Sequence, residues 1–405
     1  MTTTRTDTPS ALALRLRRRP FTHHNRLAAA VVLVNVIAAF GVDDARALAD
    51  LVVANVALAV LIRQQHVINL LFRLATSAPT TWPLRVRWTL GKVYHLFGGL
   101  HVGAALSATA WFAALAVVRA DPLTWTILAL MVAMVVFALP ALRARRHDVF
   151  ERVHRFAGWT VLALFAADSS RQPGFLGSTQ FWLLLLVVAS VVLPWTRLRR
   201  VPVRIVSPSR HVALVSFDYG VTPFAGSSTA VSRNPLLEWH SFANVPTPGR
   251  TGFRLTISRA GDWTGSLIDD LPTHLWVKGV PTAGVGNIDK LFTRVVWVAT
   301  GSGIGPCLPH LLSQETPSRL VWSTRTPRDT YGDELVDEIE AVQPDALVWD
   351  TVRDGKPDLV ELALRAHREF DAEAVICISN KKTTWHVVEE LEARGVPAFG
   401  AIWDS

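Results

Sequence analysis

Cysteine is almost missing from this chain. Its 405 residues include two, Cys307 and Cys377, both in the second half. No disulfide framework is expected, and the pair suits a reducing compartment. A signal-peptide cleavage pattern is also lacking behind the basic N-terminal arm, so no segment is expected to be removed. No internal repeat appears beyond an alternation of apolar blocks and gaps. Acidic residues are the minority charge, 33 Asp and Glu against 41 Lys and Arg, for a net charge of +8.

What the chain has in quantity is apolar residues, 50% of the total, and they are spread unevenly. Apolar blocks run from Leu27 to Val42, Ala47 to Leu70, Thr89 to Val118, Leu123 to Leu142, Val149 to Ala167 and Phe181 to Trp195. Several reach the roughly 20 residues that a bilayer crossing needs. A large buried helical core would show similar blocks, but the charges alternate. The arm holds Arg5, Arg15, Arg17, Arg18, Arg19 and Arg26, and further basic groups lie at Arg63–Lys92, Arg143–Arg155 and Arg197–Arg204. The gaps between them hold only Arg46, Arg119 and Arg171. That alternation predicts six spans with both termini cytoplasmic. The basic surplus then reports topology, and no nucleic-acid partner is expected.

After Arg204 the texture changes. "RHVALVSFDYG", "GFRLTISRAGDWTGSL" and "HLWVKGV" alternate apolar and polar residues between Gly and Pro, as in a small antiparallel barrel. From Thr293 the chain alternates strand and helix. "RVVWVAT", "RLVWSTR", "ALVWDTV" and "AVICISN" read as strands, each followed by a helical stretch, which predicts a parallel sheet covered by helices. The first strand runs into "TGSGIGP". Thr300, Gly301, Gly303, Gly305 and Pro306 form a strand–turn–helix junction of the type that brings backbone amides against a pyrophosphate. Pro306 suits the first helical turn, where an amide has no partner.

These motifs, in this order, resemble the ferredoxin–NADP reductase superfamily. Within it the likeness is to the membrane branch of ferric reductases and NADPH oxidases, and closest in type to fungal Tmp-type membrane flavoproteins. "WHSFA" is similar to that branch's flavin motif, which places His240, Ser241 and Phe242 at the isoalloxazine; its usual Thr or Ser is here Ala243. "SRAGDWT" resembles the element that holds flavin phosphate, implying roles for Arg259, Gly261, Trp263 and Thr264. "DGKPD" is similar to the branch's "GRPD". The resemblance also places Cys377 beside the nicotinamide, although its Cys-Gly-Pro motif reads Cys-Ile-Ser here, and Trp403 over the flavin. Arg325, Arg328 and Tyr331 stand where NADPH-using relatives bind the 2′-phosphate, a group that suits fork-shaped cations. NADPH is therefore expected, with NADH the alternative.

The membrane branch holds haem between His pairs on its third and fifth spans. This chain keeps the first position of each pair, His95 and His154, each with Gly four residues on, and lacks the second, where Ala108 or Thr109 and Ala167 or Asp168 stand. Two readings follow: one inner b-type haem held by His95 and His154, or two interfacial histidines among Arg and lipid phosphate. His101 falls on another face of its helix than His95, neither it nor His66 has an identifiable partner, and Asp168 is expected to be solvated.

The expected architecture is an all-α six-helix transmembrane domain, then an antiparallel β-barrel, then an α/β parallel-sheet domain. Residues 1–26 would form a basic cytoplasmic arm, 27–200 the spans, 201–290 the FAD-binding barrel and 291–405 the nucleotide domain. The expected activity passes electrons from NADPH through FAD to an acceptor within the membrane or at its cytoplasmic face. The alternatives are a haem-free flavoreductase that uses its spans as an anchor, and a sensor or carrier that binds nucleotide without turnover.

Overall fold

A computed structural model describes residues 22–42 and 44–400; most of the basic arm lies outside them. Helices α1 (His23–Ala38), α2 (Ala45–Leu61), α3 (Gln65–Thr76), α4 (Leu84–Leu90) and α5 (Tyr94–Arg119) come first. They are followed by α6 (Pro122–Ala138), α7 (Pro140–Arg145), α8 (His147–Ser170) and α9 (Thr179–Val192). Side-chain oxygens cap several of them in the usual way: Thr22 accepts from Asn25 N, Asp44 from Ala47 N and Asp121 from Leu123 N.

Six comparable spans are not what this half shows. Among the described residues, three helical segments are long and apolar enough to cross a membrane: His23–Gly41, Leu84–Arg119 and Thr179–Arg197. The block expected at Ala47–Leu70 instead breaks between α2 and α3, which meet at a bend of 69°, and the pair would make a fourth crossing only if counted together. Helix α6 is apolar but has 17 residues. Helix α8 is long enough, at 24 residues, but carries Asp148, Glu151, Arg152, Arg155 and Asp168.

Some polar groups inside this helical half pair with one another, while the Ser107 and Ser190 hydroxyls are buried without a hydrogen-bond partner. Asn35 and Asn55 exchange side-chain hydrogen bonds of 3.1 and 2.6 Å, and Trp111 Nε1 donates to Asn35 Oδ1 at 2.8 Å. Asp168 is not solvated as expected. It forms an ion pair with Arg119, the residue that ends α5. The sequence separation of 49 residues hides that partner.

The second half opens with strands β1 (Arg199–Ser209), β2 (Val212–Phe217), β3 (Ser227–Ser232), β4 (His240–Ala243) and β5 (Phe253–Ser258). Helix α10 (Asp262–Asp270), β6 (His274–Val277) and β7 (Thr282–Ala283) complete it. The strands pair antiparallel in the order β4-β3-β6-β1-β2-β5, with β7 on β3. A bridge between Val245 and Arg254 joins the two ends of that order, so the sheet nearly closes. Alternation along β2 and β5 turns Ala213, Val215, Leu255 and Ile257 into a core that α10 covers with Leu267 and Ile268.

A parallel sheet follows. Its strands are β8 (Val295–Thr300), β9 (Ser318–Thr324), β10 (Leu347–Asp350), β11 (Ala374–Ile378) and β12 (Ala398–Gly400), in the order β10-β9-β8-β11-β12. Between them lie α11 (Ile304–Ser313), α12 (Pro327–Tyr331), α13 (Asp333–Val342), α14 (Leu359–Glu369) and α15 (Lys381–Ala393). The four strands read from the sequence are all present, and β12 adds an edge. All five strands run parallel, and the winding order reverses at β8: β9 and β10 lie on one side, β11 and β12 on the other, so the crevice between β8 and β11 is a topological switch point.

The two halves share one core. Phe72, Val93, Tyr94 and Phe97 from the first are buried in the same cluster as Ile288, Phe292, Trp297 and Phe399 from the second.

Candidate functional site

The carboxyl ends of β8, β9, β10 and β11 open into a cavity of about 640 Å³ whose far wall is the barrel. Thr300, Gly301 and Ser302 form one side, Ser323 to Thr326 a second, Lys356 and Pro357 a third, and Asn380 and Thr383 the last. His211, Ser258 and Arg259 close it from the barrel.

Each glycine of the turn has its own reason. Gly301 has φ +50, which favours glycine, and its carbonyl accepts a 3.0 Å bond from Trp322 Nε1 that fixes the turn. A Cβ on Gly303 would collide with the carbonyl oxygen of Ile378. One on Gly305 would sit 3.3 Å from Thr256 Cβ of the barrel. Only Gly301 of the three lines the cavity; Gly303 and Gly305 permit close packing against β11 and β5. Thr300 and Ser379 bridge the crevice hydroxyl to hydroxyl, and Pro306 lies in the first turn of α11, where an amide would have no helical partner.

The cations expected to hold a 2′-phosphate divide. Arg325 lines the cavity and makes no salt bridge among the described residues. Its loop is held by Asp350, whose Oδ1 accepts from Thr326 N at 3.0 Å. Arg328 is a correction. Its guanidinium binds Asp333, Asp337 and Glu340 at 2.7–3.1 Å and faces away from the cavity. Arg328 is the second residue of the short helix α12, and its side chain projects to the acidic face of α13. Tyr331 does line the cavity, packed edge-on to Trp322 at 5.1 Å, and burial raises its phenol pKa. Lys356 is the cation that sequence reasoning missed. Trp349 Nε1 holds its loop through Gly355 O at 2.8 Å. The "DGKPD" likeness marked this loop but assigned no role to the lysine.

At the flavin motifs, Trp263 packs against His240 at 4.3 Å between ring centroids and against Phe242 at 5.9 Å, nearly parallel. Ser241 points outward and is exposed. Burial lowers the His240 pKa. Arg259 is tied to Asp269 through both carboxylate oxygens and donates from Nε to Arg210 O at 2.9 Å, so part of its donor set is already used. The Asp269 carboxylate beside it raises its pKa. Thr264 is also engaged: its hydroxyl accepts from Ala260 N and Gly261 N at 2.8 and 3.1 Å, capping α10. Gly261 is extended and surrounded by open space, so no steric need for glycine exists there. Thr229, Ser232 and Thr256 hydroxyls and Trp263 Nε1 are buried without a hydrogen-bond partner. Such atoms are normally paired.

Cys377 is the second correction. It is fully buried in the core under α14 and α15, away from the cavity, and burial pushes its thiol up to about 12. Residue parity on β11 turns it to the face covered by α14 and α15, while Ile376 and Ile378 face the opposite side. Trp403 lies outside the described residues.

His95 and His154 form no pair, the third correction. His95 stacks with His23 at 5.6 Å and Tyr94 at 4.2 Å. His154 faces His101 instead, at 6.1 Å and 61°, and His101 Nδ1 lies 2.8 Å from Ala59 O. The packing of α8 sets that choice, which helix phase alone cannot. Among the described residues no group of three or more His, Cys, Asp or Glu is placed to hold a metal ion.

Residues 285–405 match the family described as adenylate-forming reductase 03009, C-terminal domain. The whole chain is similar to adenylate-forming reductase 03009 of Coprinopsis cinerea, at 45% identity over 98% of this chain. It is also similar to adenylate-forming reductase 06235 of the same fungus, at 43% identity over 98% of this chain. The chain spans 42% of the length of each. Among solved structures, a ferredoxin NADP+ reductase from Neisseria gonorrhoeae with bound FAD and NADP aligns at a TM-score of 0.40 and 12% identity, over 51% of this chain and 98% of that one.

Proposed function

We propose that the chain is a membrane-embedded reductase that takes electrons from NADPH through FAD to an acceptor within the membrane or at its cytoplasmic face. The observation that carries this reading is the single cavity joining the Gly301 turn, the cations Arg325 and Lys356, and the barrel residues Ser258 and Arg259. A nucleotide pyrophosphate suits the amides at the start of α11, and the two cations suit a 2′-phosphate. The His240–Trp263–Phe242 cluster suits the aromatic ring of a flavin nucleotide. FAD, when bound, would accept a hydride and release electrons singly. The chain's own residues bind and orient, and His95 and His154 do not face one another.

Exposed apolar side chains on the long helices support the membrane reading. Val34 and Phe40 are 65% and 90% exposed, and Trp182 is 61% exposed. The relatives' name supports the reductase reading.

The test is the absorption spectrum of detergent-purified protein before and after anaerobic NADPH. A bound flavin that bleaches faster with NADPH than with NADH is expected. Protein that carries no flavin after purification and reconstitution with FAD would sink the proposal. The burial of Cys377 and the presence of Ala243 favour a second reading, a carrier or sensor that binds nucleotide without turnover. It predicts NADPH binding with no bleaching.

A further inference from the structure

Between Asp50 and Asp121 the sequence has no acidic residue, while Arg63, Arg73, Arg85, Arg87 and Lys92 fall inside that stretch. Arg87 and Lys92 find carboxylates on the nucleotide domain, Glu373 and Glu392. Arg73 makes no salt bridge among the described residues. It lies on α3, the helix turned by 69° from α2, and the two faces of α3 do different things.

The inward face is bolted to the segment that joins the barrel to the nucleotide domain. Gln65 Nε2 donates to Thr282 Oγ1 at 3.0 Å, and Gln65 Oε1 accepts from Val280 N at 3.1 Å. One turn on, Asn69 Nδ2 donates to Pro281 O at 3.0 Å and Asn69 Oδ1 accepts from Ala283 N at 2.7 Å. Gly279 has φ +71, and a Cβ there would collide with the Gln65 amide. Phe72, 3% exposed, continues the same face into the shared core.

The outward face combines leucines with a histidine and an arginine. Leu70 and Leu74 are 52% and 59% exposed, His66 and Arg73 stand exposed beside them at helical spacing, and Trp82 beyond the helix is 47% exposed. Leucines beside an arginine, with an aromatic nearby, are what an interfacial helix presents to acyl chains and phosphates.

We propose that the outward face of α3 docks on an anionic lipid monolayer, and that Gln65 and Asn69 transmit this contact to residues 279–283 and so to the alignment of the flavin barrel with the nucleotide domain. The proposal rests on the membrane placement given above. The absence of any acidic residue on α3 selects anionic headgroups as the complement.

The test uses the full chain in lipid nanodiscs of phosphatidylcholine with and without phosphatidylserine. Leu70→Cys and Leu74→Cys each carry a nitroxide; native Cys307 and Cys377 are buried and stay unlabelled. Val352→Cys, at a site 59% exposed on the nucleotide domain, is the aqueous control. Labels at 70 and 74 should collide more with oxygen than with a nickel chelate, the reverse of the control. Labels that behave like the control, or that are shielded from both reagents as under a protein partner, would overturn the docking. Phosphatidylserine should change the rate of flavin reduction by NADPH severalfold, and Asn69→Ala should remove that response while the label at 74 still reports lipid. A rate indifferent to phosphatidylserine in the unmodified chain, or a response that survives both Asn69→Ala and Gln65→Ala, would overturn the transmission. Release of the protein from membranes by alkaline carbonate defeats the membrane reading itself. Retention with water-exposed labels defeats only the docking.

Discussion

The Arg87 guanidinium meets the Glu373 carboxylate through two parallel hydrogen bonds of 2.7 and 2.8 Å, joining α4 to the start of β11. Arg87 is only 4% exposed, so its charge depends on this partner and on Leu291 O at 2.8 Å. Glu373→Gln should lower stability by about 3 kcal/mol, because it leaves a buried cation uncompensated. The guanidinium also holds the Glu373 carboxyl down to about 2, from 4.5. A carboxyl depressed in the fold stabilises fully above its unfolded value and loses that contribution as pH falls toward its folded value. Melting should therefore drop between pH 4.5 and 2 in the unmodified chain, and less steeply in Glu373→Gln. Equal pH slopes would refute the pairing.

The turn at the head of α11 predicts an order of damage. Gly303→Ala forces a Cβ into the backbone of Ile378, which no side-chain rotation relieves. Gly301→Ala meets no such wall and costs about 1–2 kcal/mol for its left-handed backbone. NADPH titration and thermal melting of both variants should place Gly303→Ala well below Gly301→Ala. The reverse order would show that the backbone conformation at 301 outweighs the contact at 303.

Specificity for NADPH should follow the cavity. Arg325→Ala and Lys356→Ala should each weaken NADPH by about 1.5–3 kcal/mol, the range for a lost hydrogen bond to a charged group, with NADH little changed. Arg328→Ala should leave the ratio of the two affinities alone, since its donors serve Asp333, Asp337 and Glu340. Isothermal titration with both nucleotides decides between them, and a ratio that shifts only in Arg328→Ala would reverse the assignment.

Cys377 should be chemically inert. Its thiol is fully buried and its pKa is pushed up to about 12 by burial, so almost no thiolate exists at neutral pH. Iodoacetamide should leave it unmodified in the folded chain, and Cys377→Ala should keep flavin reduction by NADPH. Rapid alkylation that is blocked by NADPH would instead place this thiol at the nicotinamide.

Local pattern carried much of this protein. The alternation in "ALVSF" and "RLTIS", the strand–turn–helix at "VATGSGIGP" and the repeated strand and helix after Thr293 are set by neighbours within a few residues, so they are legible in one dimension. The tertiary structure decided which side chains meet. Arg119 finds Asp168 and His101 finds His154 across about 50 residues of chain. Arg328 turns to α13 while Arg325 stays in the cavity, and the parity of β11 buries Cys377. Apolar blocks alone likewise could not show that the chain bends after Leu61, because hydropathy records composition and not direction. Gln65 and Asn69 take the turned helix onto residues 280–283, more than 200 positions away, and only packing brings such distant polar groups into register.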